Sequence, residues 1–135
     1  MKSSLRLVAL LALTLTALAD GPADNKADTV RRVPPDGVKI SAAARSELQA
    51  GADALGKSIE SLRGSLKGKA VLLDLLPDVQ IYHKAVDWAL RHNEFYNTNQ
   101  VGAARNLLKQ GGERAQALRE GKSPWTTQTG LVARG

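Results

Sequence analysis

The chain is 135 residues long, carries a formal net charge of +6 and contains no cysteine. That length suits one small domain, and its core rests on apolar burial alone, because disulfides, thiolate metal sites and cysteine nucleophiles are all excluded. The basic surplus does not point to nucleic acid: acidic residues are interspersed with it along every expected helix, whereas nucleic-acid binders cluster their basic residues on one face.

Residues 1–19 have the form of a secretory signal peptide. Lys2 and Arg6 supply the positive start, residues 7–18 the apolar run, and Ala17-Leu18-Ala19 a small-x-small cleavage site before Asp20. The run of 12 residues is well short of the roughly 20 that span a bilayer, so no stable membrane span is expected after cleavage. Of the 19 Lys and Arg, Lys2 and Arg6 leave with this segment, so 17 face 13 Asp and Glu in a mature chain of charge +4. Export also separates the chain from nucleic acid. In an exported chain, absence of disulfides is common among bacterial proteins and fits a periplasmic or secreted one.

Residues 20–40 lack apolar periodicity and contain Gly21, Pro22, Pro34, Pro35 and Gly37, so they read as a disordered or extended linker. Residues 41–121 carry the helical patterning. Ser41 is an N-cap candidate, and Leu48, Ala52, Leu55, Ile59 and Leu62 follow at spacings of 4, 3, 4 and 3, which places them on one face. Gly64 is the expected stop and Gly68 a second turn. Residues 70–76, Ala-Val-Leu-Leu-Asp-Leu-Leu, fit either a buried strand or a helical turn. With no second strand nearby, a short helix bending at Pro77 is the expectation.

The next helix, about residues 77–92, is the element around which the unit is organised. Pro77 and Asp78 suit its first turn, Arg91 and His92 its negative end, and Asn93 its closure. Its apolar residues cover more than half the circumference. Tyr82, Val86, Ala89 and Leu90 lie on one edge and Ile81, Ala85 and Trp88 on the other, with Gln80, His83, Lys84, Asp87 and Arg91 as a polar strip. So wide a face predicts neighbours on two sides. Thr98 is the N-cap candidate of a third helix bearing Val101, Ala104, Leu108, Ala115 and Leu118, with Gly111-Gly112 as a point of division and Gly121 as its end. Short connections predict antiparallel neighbours. In residues 122–135, Thr126, Thr127, Trp125 and Leu131-Val132 read as the start of a β-strand. The expected fold class is therefore mainly α: a small antiparallel three-helix unit after a signal peptide and linker, ending at the start of a β-strand.

Candidate chemistry is sparse. Residues 51–58, Gly-Ala-Asp-Ala-Leu-Gly-Lys-Ser, match the phosphate-binding pattern G-x-x-x-x-G-K-S, and Asp74 after an apolar run resembles a magnesium-holding aspartate. A phosphate loop must follow a strand, however, and the helical seam runs straight through these residues. His83 and His92 lie nine apart with no carboxylate or second histidine at ligand spacing. No G-x-S-x-G elbow occurs; Gly56-Lys57-Ser58-Ile59-Glu60 comes nearest, and Ser58 reads as an exposed helix residue. Trp88 and Trp125 both read as core. No catalytic, metal-ligating or cofactor-binding residue is assigned, and no cofactor is expected.

Two strings, LLPDVQIYHKAVDWALRHNEFYN (residues 75–97) and GKSPWTTQTGLVARG (residues 121–135), resemble the N-terminal region of secreted bacterial prolyl oligopeptidase-like serine hydrolases of the α/β-hydrolase superfamily. The resemblance implies a non-catalytic helical lead-in to a larger enzyme acting on peptides or esters, with the downstream hydrolase domain of the same polypeptide as its partner. It carries no catalytic residue onto this chain. The alternative reading of the residues is a free-standing periplasmic helical binding or scaffold protein, and a less favoured one is nucleotide binding at residues 51–58.

Overall fold

The computed structural model describes residues 36–135; the expected signal peptide and most of the expected linker, residues 1–35, lie outside the described residues. Helix α1 (Ala42–Ser65) begins at Ser41, whose Oγ accepts from the Ala44 N–H at 3.1 Å and so satisfies a backbone donor that has no partner within the helix. The expected seam is buried in full: Leu48, Ala52, Leu55, Ile59 and Leu62 all face inward. Gly64 does not stop the helix, which runs one residue further; the reversal falls at Gly68, at φ +84°. A single helical turn, α2 (Ala70–Leu73), then leads through a turn into α3 (Pro77–Arg91). Residues 70–76 thus take the helical option, and Pro77 occupies the first turn of α3, where its missing N–H costs nothing.

Helix α3 closes at Asn93 (φ 55°), which lets the Glu94 N–H reach back to the Ala89 carbonyl at 2.9 Å. Helix α4 (Gln100–Arg119) ends in the same way: Gly121 takes φ +73°, and the Lys122 N–H bonds the Ala117 carbonyl at 2.8 Å. Its start differs from expectation. Asn99 holds the cap position and no side chain caps there, Thr98 contributing only its carbonyl. The Gln100 side chain instead turns back to accept from the Tyr96 N–H at 2.6 Å.

Two contiguous clusters form the core. Leu55, Ile59, Leu62, Val79, Tyr82, Ala115, Leu118 and Trp125 meet at one end, and Leu48, Ala52, Val86, Leu90, Phe95 and Ala104 at the other. The first half of α1 therefore meets the end of α3 and the start of α4, so α3 is antiparallel to both and the three long helices run up, down, up.

The triangle explains why the wide apolar face of α3 is only half used. Helices α1 and α4 also pack on each other, so both lie against the Val79, Tyr82, Val86 and Leu90 edge. The opposite edge is left to solvent: Ala85 is exposed, Ile81 half-buried, and Trp88 is 49% exposed rather than core. Neighbours one turn away on its own helix partly cover Trp88. The Lys84 ammonium sits 4.3 Å from the ring centroid, and His92 meets the ring edge-on at 5.9 Å.

Gly111-Gly112 does not divide α4. A Cβ at Gly111 would lie 2.6 Å from Leu55 Cδ2 and 2.9 Å from Tyr82 Cβ, so the missing side chain lets three helices approach at this point. Gly112 faces open space. Gly111→Ala is expected to destabilise the unit by about 1–3 kcal/mol through overpacking, whereas Gly112→Ala stabilises it by roughly 0.4–1 kcal/mol. Urea denaturation of the two variants checks this; shifts of the same sign would show that the helix contact at Gly111 is mislocated.

Candidate functional site

Residues 122–135 do not form a strand, and no strand occurs among the described residues. A lone strand has no partner for its backbone groups, and here those groups are engaged otherwise. Pro124–Thr126 make a 3₁₀ turn that drives Trp125 into the core, 4% exposed. The remainder runs back to the first turn of α3 and ends on one side chain.

That side chain is Asp78, only 2% exposed. Its Oδ2 accepts from the Trp125 indole Nε1–H at 2.8 Å and from Arg134 Nε at 2.9 Å, and its Oδ1 accepts from the Gly135 N–H at 2.7 Å. Beside it, the Arg114 guanidinium lies between two aromatic faces, 4.9 Å from each of the Tyr82 and Trp125 rings. One of its nitrogens donates both to the Asp78 backbone carbonyl at 3.0 Å and to that of Ala133 at 2.8 Å. A shallow cleft of about 210 Å³ opens along Arg114 and Trp125.

Burial pushes the Asp78 carboxyl upward, but the Gly135 N–H, the Trp125 indole and the Arg134 guanidinium outweigh it and hold the group below the usual aspartate value. A carboxylate so held is a poor proton carrier and a strong acceptor for cationic and N–H donors.

A second polar junction closes the other end of the unit. Arg45 donates to the Leu90 carbonyl at 2.9 Å and to Asn93 Oδ1 at 2.8 Å, capping α3 from α1, while Asn93 Nδ2 donates to the Gly37 carbonyl at 3.3 Å. The Val38 N–H bonds the Phe95 carbonyl, so the last linker residues lie along the chain after α3. On the surface, Arg105 grips Glu47 with two bonds of 2.8 and 2.7 Å and, chiefly through them, holds the Glu47 carboxyl below its ordinary value.

The residues that sequence patterns single out are not brought together. Residues 51–58 are interior to α1, and their N–H groups serve the helix ladder rather than forming a phosphate cradle. Gly51 and Gly56 admit Leu108 and the His83 imidazole at close range instead. Ser58 is half-buried within the same helix rather than exposed, and Asp74 lies in the turn after α2. His83 packs over Gly56, His92 on Trp88, and no group of three His, Cys, Asp or Glu among the described residues is placed to hold a metal ion. No described helix is long and apolar enough to cross a membrane. Sequence reasoning gave Asp78 only a helix-end role. The one hint of more is that a buried tryptophan needs an acceptor for its N–H.

No protein-family model, curated protein or solved structure matches the chain.

Two expectations follow for the site. Trp125→Ala costs about 3–5 kcal/mol and Trp88→Ala no more than about 1 kcal/mol in chemical denaturation; comparable losses would mean that the burial of the two rings is misassigned. For Asp78, the folded pKa lies below the unfolded value of about 3.9, so its stabilisation is present above that pH and is lost as pH falls through the lower folded value. Asp78→Asn should therefore destabilise at pH 7 by about 1–3 kcal/mol, with the gap to wild type narrowing below about pH 4. Parallel stability curves over that acid range would refute the role given to the carboxylate.

Proposed function

We propose that this helical unit is the non-catalytic N-terminal portion of an exported serine hydrolase, similar to the prolyl oligopeptidase-like peptidases and esterases, and that its partner is the downstream hydrolase domain of the same polypeptide. The observation that carries the reading is that the two strings bearing the resemblance are tied to each other. Residues 75–97 supply Asp78 and residues 121–135 supply Trp125, Arg134 and Gly135, joined through one buried carboxylate. A lead-in needs such a joint, because it must set the path of the chain relative to the helices. The uncovered edge of α3, with Trp88, Ala85 and Ile81, offers an apolar strip on which a neighbouring domain can pack.

The same strip also supports the second reading, a free-standing periplasmic helical binding or scaffold protein, with the strip as its binding face. Phosphate-loop chemistry at residues 51–58 is not proposed, because their backbone donors are used within α1.

The test has two parts. The chain from Asp20 onward, offered chromogenic esters and prolyl peptide anilides, is expected to show no turnover above buffer. Turnover abolished by replacing one of its own side chains would overturn the non-catalytic assignment. Sequencing the gene past codon 135 is expected to show an open frame leading into β-rich polypeptide with a G-x-S-x-G elbow; an immediate stop codon would favour the scaffold reading.

A further inference from the structure

We propose that the first turn of α3 is a recognition cradle for an extended Arg-Gly segment, and that residues 133–135 are its occupant in cis. Exchange at these contacts needs no downstream hydrolase, although the same contacts serve that reading as its joint. The cradle is built from parts that hold one another without the occupant. Asp78 and Pro77 come from α3, Arg114 from α4 and Trp125 from the 3₁₀ turn. The indole fixes the carboxylate at 2.8 Å, and the two aromatic faces fix Arg114.

What remains unfilled in such a cradle defines its ligand. With the indole on Oδ2, the Asp78 carboxylate keeps lone pairs on both oxygens for further donors. It takes Arg134 Nε on Oδ2 and the Gly135 N–H on Oδ1, a side-chain donor and a backbone donor from consecutive residues. Arg114 supplies a donor for the carbonyl of the residue before the arginine, here Ala133. Shape selects the glycine: a Cβ at Gly135 would overlap the Pro77 carbonyl oxygen and crowd the Asp78 N–H. Arginine is favoured over lysine because its rigid planar head offers Nε–H at a set angle, whereas an ammonium is a mobile point charge.

The tether is mostly exposed, with Val132 its one contact to the core. Gly130 takes φ +93°, Leu131 is fully exposed, and between Trp125 and Ala133 only Val132 gains partial burial. A segment held at one end by polar contacts and linked by such a tether can be displaced by an equivalent segment, the intramolecular copy competing through its effective concentration. The partner that fits is an extended Arg-Gly segment of another polypeptide.

The experiment uses the full chain carrying Arg134→Ala as host and the end-blocked peptide acetyl-Leu-Val-Ala-Arg-Gly-amide as probe. The readout is the NMR resonance of the Trp125 indole N–H, which reports the Asp78 acceptor directly. Binding is expected in the host at about millimolar peptide and more weakly in wild type, where the tethered copy competes. Peptides with Lys for Arg or Ala for Gly are expected to bind at least about tenfold more weakly, and Asp78→Asn in the same host should abolish the response. No peptide-dependent shift in the host, or an equal response to all three peptides, overturns the proposal. Loss of the helical circular dichroism signal in Arg134→Ala overturns it as well, since an exchangeable occupant leaves without unfolding its cradle.

Discussion

A carboxylate taken out of water must be surrounded by donors or it will not stay charged. Asp78 is so surrounded, and the requirement organises one end of the molecule. Its donors come from an indole in a 3₁₀ turn, a guanidinium and a backbone N–H near residue 135, so meeting its needs folds residues 122–135 onto the helices. Trp125, brought in by that bond, completes the cluster around Leu62, Val79, Tyr82 and Leu118. A donor that leaves must be replaced, by water or by an equivalent group, for the carboxylate to stay charged.

The other end is organised by a different need. The last carbonyls of α3 lack partners within the helix, and Arg45 and the left-handed Asn93 serve them from outside. Between the two polar ends lies an apolar middle whose geometry depends on an absent side chain. At Gly111 three helices come too close for a methyl group, and this contact sets how α4 lies against α1 and α3. A triangle that tight buries one edge of each helix and leaves Trp88 facing outward.

These features bear on function in one consistent way. Asp78, with its pKa lowered and its oxygens engaged, is suited to binding rather than proton transfer. His83 packs against α1 at Gly56, and His92, exposed at the end of α3, meets the Trp88 ring edge-on. The buried Asp78 junction and the uncovered edge of α3 are what the lead-in and scaffold proposals have in common.

Residue order alone determined the helices. The 4-and-3 spacing from Leu48 to Leu62, the cap at Ser41, Pro77 in a first turn and Gly121 after a last one are local signals, acting over a turn or two, and the three-helix antiparallel unit follows from them. Tertiary structure decided whatever depends on residues far apart in the chain. Which edge of α3 is covered depends on α1 and α4 closing on each other, and whether Gly111 breaks or tightens α4 depends on Leu55 and Tyr82. Whether residues 122–135 become a strand depends on an available partner; Asp78, 47 positions before Trp125 and 57 before Gly135, captured them first. Pattern reading works within the reach of one helical turn, whereas a buried charge chooses its donors in space.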